Sequence, residues 1–231
     1  MDLSRNVKAV QEKIAAAARA AGRDPASVTL CAATKTRSDE MIRSAIAAGI
    51  LVCGENRVQE LTAHLTADAY AGAQVHFIGH LQTNKVKQVV GKVALIHSVD
   101  SERLLRAVDS QAEKLGLVQD ILLEVNVARE ESKGGIMPES LPGLARTALD
   151  CPHIRLRGLM AIPPVSTVPG ENRKYFAQMR QFLVDIIDKM SDNQSSVDCL
   201  SMGMSGDYED AIAEGATLVR VGTALFGPRP L

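Results

Sequence analysis

Lys35 closes a short apolar run, VTLCAATKT at residues 28–36. A strand of Val, Leu, Cys and Ala has no local reason to end on an ammonium group, which must be solvated or paired. Period-2 alternation puts Cys31, Ala33 and Lys35 on one face and Leu30, Ala32 and Thr34 on the other. If the first face lines a core, Lys35 stands at its mouth as an amine able to attack a carbonyl. A surface lysine at the end of a strand fits the segment equally well.

The other end of the chain adds a second chemistry. SMGMSGD (residues 201–207) sets two hydroxyls and two glycines at a strand-to-helix turn, and VGT (221–223) sets a Gly-Thr pair at the end of the last apolar run. Small residues let backbone N–H groups approach an anion, and a following helix N-terminus favours negative charge. This is the outline of a phosphate cradle. Arg220 lies between Val219 and Val221, so alternation turns it to the face they do not occupy, where its fixed charge needs a partner. Glu124 is one such partner and a ligand group is another. An amine, a phosphate cradle and an inward guanidinium together outline pyridoxal phosphate: its aldehyde as a Schiff base on Lys35, its phosphate among Ser201, Ser205, Gly222 and Thr223, its ring nitrogen against Arg220. A guanidinium there disfavours a proton on that nitrogen, which makes the cofactor a weaker carbanion stabiliser.

The elements that must position these groups follow from periodicity. A helical pattern over residues 3–21 stops at Gly22. After it come eight apolar runs separated by helical patterns: residues 28–36, ILVCGEN, QVHFIG, ALIHSVD, DILLEVNV, LRGLMAI, CLSMGM and TLVRVGTALFG. The intervening helices are expected near 38–49, 57–65, 84–90, 101–115, 139–149, 171–190 and 208–214. Strands alternating with helices imply parallel βαβ units, and eight of them predict a single (β/α)8 TIM barrel over residues 28–227 with an extra N-terminal helix at 1–22. No GxGxxG follows the first strand, which weakens a Rossmann reading. The Pro-rich stretch IPPVSTVPG at 162–170 reads as a βα loop, and the strand ends that form the ligand-binding face also carry Asn56, His80, Asp100, Asn126 and Met160.

Composition excludes several classes. The 231 residues carry 26 basic and 27 acidic side chains, 46% hydrophobic residues and 3% aromatics, with no Trp. Without a basic surplus or stacking aromatics there is no case for nucleic acid. Four cysteines with no metal-type spacing read as free thiols in a reducing cytosol. The charged, amphipathic N-terminus is expected to be a helix rather than a signal, and no run reaches membrane-spanning length.

At the site residues and beyond, the sequence closely resembles the pyridoxal phosphate homeostasis protein family, relatives of the barrel domain of alanine racemase. The matching stretches are AATKT, GENRVQE, HFIGHLQTNK, SKGGI, LRGLMAIPP, LSMGMSGDYEDAI and RVGTALFG, in order through nearly the whole chain. The resemblance implies a fold-type-III barrel with cofactor on Lys35, and a cytoplasmic role in carrying pyridoxal phosphate and supplying apoenzymes. It also frames the alternative, an amino-acid racemase, which needs a second base supplied by a Tyr from an appended domain. None of Tyr70, Tyr175 and Tyr208 is an evident counterpart, so a non-catalytic, monomeric carrier is expected. A class I aldolase using Lys35 on a substrate carbonyl is a third reading. Lys133, in REESKGGI, is a secondary or transfer position for the cofactor, and His80 a further secondary one; both also read as ordinary loop residues, and His97 as a packing residue.

Overall fold

The computed structural model describes residues 2–130, 133–189 and 197–228. Eight parallel strands close into a barrel in sequence order, each paired with its neighbours and β8 with β1. They are β1 Thr29–Ala33, β2 Val52–Glu55, β3 Gln74–Phe77, β4 Leu95–Val99, β5 Gln119–Glu124, β6 Ile154–Met160, β7 Cys199–Ser201 and β8 Leu218–Val221. Helix α1 (Leu3–Ala20) precedes them. Outside the barrel follow α2 (Asp39–Ala47), α3 (Val58–Thr66), α4 (Glu102–Leu115), α5 (Leu141–Leu149), α6 (Arg173–Lys189), α7 (Tyr208–Ala213) and α8 (Thr223–Phe226).

Local chemistry starts and stops these helices. Ser38 accepts a hydrogen bond from Met41 N–H at the start of α2 (3.3 Å) and Ser101 from Leu104 N–H at the start of α4 (3.4 Å). Gly22 takes a left-handed turn just past α1. Three expectations change. The segment read as a helix at 84–90 is a 3-10 run, Thr83–Gln88, since six residues do not sustain α-helical nucleation without strong packing. The last run, TLVRVGTALFG, is not one strand: it breaks at Gly222 into β8 and the single turn of α8. The helix expected at 171–190 begins at Arg173; Met190 lies outside the described residues, as does Ser132 of SKGGI.

Alternation sorts the strand side chains into two layers. Ala32, Cys53, Phe77, Ile96 and Val219 pack outward against the helices. Cys31, Val52, Ile78 and Leu218 meet inside the barrel, and Leu95, Leu122 and Met160 form a second inner group. The face of Cys31 and Ala33 is thus the inner face, and the chain delivers Lys35 at the C-terminal rim.

Candidate functional site

The turn that carries Lys35 is held from three sides. Thr34 N–H donates to Gly54 O (3.0 Å), Thr36 N–H to the Glu60 carboxylate (2.8 Å), and the buried Arg37 donates to Gly227 O (2.9 Å) while lying over the Phe226 ring. Thr36 sits at φ 60°, a left-handed conformation that a β-branched residue adopts only when its surroundings impose it. Lys35 itself is half-buried.

Lys35, Met204, Ser205, Arg220, Gly222 and Thr223 line one cavity of about 240 Å³. Ser205 Oγ accepts from the backbone N–H of both Gly222 (3.2 Å) and Ala224 (3.3 Å), so two amides already converge on one oxygen here, the donor geometry that an anion requires. The loop that brings Ser205 across is shaped by Gly203. At φ 90°, it leaves no room for a side chain: a Cβ would lie 2.6 Å from that of Ala211. Its carbonyl receives the Arg220 N–H at 3.0 Å, and Asp207 closes the loop by accepting from Met204 N–H (2.7 Å) and Asn172 (2.8 Å).

Arg220 is 4% exposed and points into the barrel. Glu124 is not its hydrogen-bonding partner. The guanidinium donates to Ser201 Oγ and to Ala161 O (2.9 Å), both neutral. Burial lowers its pKa, although a guanidinium remains charged at any ordinary pH. Ser201 therefore does not lie where the phosphate contact was expected. Its side chain is wholly enclosed and committed to Arg220 and, on its other side, to His97 Nδ1 (3.0 Å). Met160 is buried among the inner apolar residues and does not line the cavity. Asn56 is half-buried just past β2, with its Oδ1 enclosed and lacking a hydrogen-bond partner among the described residues. His80 is exposed, with Nδ1 3.6 Å from an Asp100 oxygen, an acid that sequence spacing did not tie to it. Lys133 is half-buried in the loop after β5, its N–H on Glu130 O (3.1 Å).

Two features escaped the sequence reading. The first is a carboxyl cluster behind Lys35: Glu55, wholly buried, accepts from the Thr34 hydroxyl and from Tyr70 OH (2.9 Å), with His64 and Asp39 beyond. Burial raises the Glu55 pKa above the usual carboxylate range. The second is the pair His76 and His97, joined by a 3.0 Å ring-nitrogen contact inside the barrel. The available signal was positional: both histidines fall on the inner phase of their strands, with Ile78 and Leu95.

An amine, two converging amides, an inward guanidinium and an orphaned amide oxygen fit a phosphorylated pyridine aldehyde. A match to the family model described as "Alanine racemase, N-terminal domain" covers residues 5–230. The chain is 43% identical over 229 residues, 99% of both proteins, to a pyridoxal phosphate homeostasis protein of Aquifex aeolicus. It is similar to the structure of PipY from Synechococcus elongatus with PLP bound, at TM-score 0.79 and 36% identity, covering 94% of this chain and 100% of that one. It shares its fold with an alanine racemase from Clostridium difficile, at TM-score 0.75 and 14% identity over 98% of this chain and 58% of that one.

Proposed function

From the premise that this chain belongs to the pyridoxal phosphate homeostasis protein family, within the alanine racemase N-terminal domain family, we propose that it binds pyridoxal 5′-phosphate on Lys35 and holds it for delivery to apoenzymes. The observation that carries this reading is the single cavity uniting Lys35 with Ser205, Gly222, Thr223 and Arg220 from opposite ends of the chain. When bound, the cofactor supplies an aldehyde carbon that takes a primary amine reversibly. The Lys35 amine is the attachment point. The Gly222 and Ala224 amides with Ser205 would hold the phosphate, and Asn56 and Arg220 would meet polar atoms of the ring. Because Arg220 is a permanent donor, it favours a ring nitrogen that accepts rather than one that carries a proton.

A carrier rather than a racemase is supported by where the tyrosines lie. Tyr70 is hydrogen-bonded to Glu55 and Tyr208 is buried against the outer core, so neither reaches the cavity as a second base. No helix among the described residues is long and apolar enough to cross a membrane, and the four cysteines are free, the state that thiols keep in a reducing compartment.

Titration of the purified protein with pyridoxal phosphate, followed by borohydride reduction and peptide mapping, is expected to place one pyridoxyl group on Lys35. Lys35→Ala is expected to lose both the visible absorption band and the adduct. An adduct at Lys133 with none at Lys35 overturns the assignment. Rapid loss of chirality from L-alanine overturns the carrier reading.

A further inference from the structure

We propose that Ser201, His97 and His76 form a one-way hydrogen-bonded column through the barrel that positions Arg220, with both imidazoles neutral and protonated on Nε2. The three inner links run from Arg220 to Ser201 Oγ, from Ser201 Oγ to His97 Nδ1 at 3.0 Å, and from His97 Nε2 to His76 Nδ1 at 3.0 Å. Ser201 and His97 are wholly enclosed, Arg220 is 4% exposed and His76 6%. A TIM-barrel interior is ordinarily filled by branched aliphatic side chains, so a polar file through it calls for an explanation.

The direction follows from donor arithmetic. The guanidinium has only protons to give, so Ser201 Oγ must accept at that end. A serine hydroxyl carries one proton. If His97 Nδ1 also donated to it, that proton would be left enclosed without an acceptor, at the full desolvation cost of a hydroxyl. It would also turn an N–H dipole toward a buried cation. Ser201 therefore donates to Nδ1, His97 carries its proton on Nε2, and Nε2–H donates to His76 Nδ1, leaving the His76 proton on Nε2. Burial first, then His76 and Arg220, hold His97 well below the usual imidazole range.

The column bears on the ligand site through what it withholds. Ser201 Oγ and Ala161 O take two guanidinium donors without neutralising the charge, where a carboxylate would have done so. The guanidinium, hydrogen-bonded only to these neutral acceptors among the described residues, lines the cavity at a fixed angle, suited to a ligand with a lone pair or negative charge. At its far end the file reaches the N-terminal mouth of the barrel, whose cavity His76 lines with Asp120 and Arg157. The link to cofactor binding rests on the function proposed above; the protonation pattern does not.

Two measurements on the full-length protein separate these. Long-range 1H–15N spectra of the imidazoles, only five in the chain, are expected to show His76 and His97 as neutral Nε2–H tautomers at pH 7. An Nδ1–H or doubly protonated ring at either position overturns the column whether or not the protein binds any cofactor. Pyridoxal phosphate titrations are expected to show about tenfold weaker binding and a shifted absorption maximum for Ser201→Ala, the loss of one hydrogen bond to a charged group. Ser201→Thr, which keeps the hydroxyl, is expected to restore most of what Ser201→Ala loses, and Leu200→Val, in the outer layer, to leave both affinity and spectrum unchanged. Wild-type affinity and spectrum in Ser201→Ala overturn the positioning role. If wild type takes up no cofactor, the proposed function falls while the tautomer measurement still judges the column.

Discussion

Glu124 ends β5 on its inner phase, 7% exposed, and its pKa is pushed up to about 7 by burial first and by Asp100 second, with Arg220 pulling the other way. An unfolded glutamate releases its proton near 4.5, so between that pH and about 7 the native state holds a proton that the unfolded chain has lost. Stability contributed by this group is therefore present at pH 4.5 and below and falls as the pH rises toward 7. Glu124→Gln, which keeps shape and removes the ionisation, is expected to match wild type in urea denaturation near pH 4.5 and to exceed it by about 2–3 kcal/mol at pH 8. Equal midpoints at pH 8 would remove the inference. Asp100 and Arg220 thus both act on Glu124, the acid raising its pKa and the guanidinium lowering it. A carboxyl that titrates near neutrality there adjusts the field in which Arg220 acts.

Among the elements, β7 is the shortest of the described strands, and its three residues carry an inner serine, an outer leucine and the pairing to both neighbours. Its contact with β6 depends on Gly158, at φ 147°, where a Cβ would lie 1.8 Å from Cys199 O. Gly158→Ala is expected to force the two strands apart and to lose soluble folded protein, or at the least several kcal/mol in chemical denaturation, with cofactor uptake lost alongside because Ser201 moves with its strand. A variant that folds and loads normally would show that this edge is pliant. Much at this scale was legible beforehand: the eight strands, the helix starts near Ser38 and Ser101, and the loop at 162–170 all carry local signals in turn residues and periodicity. The 3-10 run Thr83–Gln88 and the break at Gly222 were not, since both depend on what the neighbouring strands leave room for.

Across the whole molecule, the polar file inside the barrel sets a limit in acid. Burial holds His76 down to about 4 and His97 well below its usual range, whereas both accept protons near 6.5 once unfolded. The stability these groups contribute is complete above pH 6.5 and is lost as the pH falls toward 4. Imidazole 15N shifts are expected to show neither ring titrating between pH 8 and 5, with urea midpoints dropping steadily below pH 6.5. A midpoint near 6.5 for either ring would mean that the interior is wet and the file broken. The same enclosure raises the Cys53 thiol to about 12 and Cys199 to about 11, so these thiolates are scarce in the folded protein.

Alternation and element order determined the barrel, the inward direction of Arg220 and the place of Lys35 at its rim, because strand phase is a local property that a period of two makes readable in a single chain. Which polar groups share a hydrogen bond is not local. Ser201 and Arg220 lie on adjacent strands, but Ser201 meets His97 across the barrel, at a separation of 104 residues. Only closure of the sheet brings them within 3.0 Å. That closure moved Ser201 from the phosphate to Arg220, replaced Glu124 by neutral acceptors around the guanidinium, and found Asp100 beside His80. Backbone pattern specifies where a side chain points; the tertiary structure alone decides what it meets there, because hydrogen bonds act over the last ångström of packing.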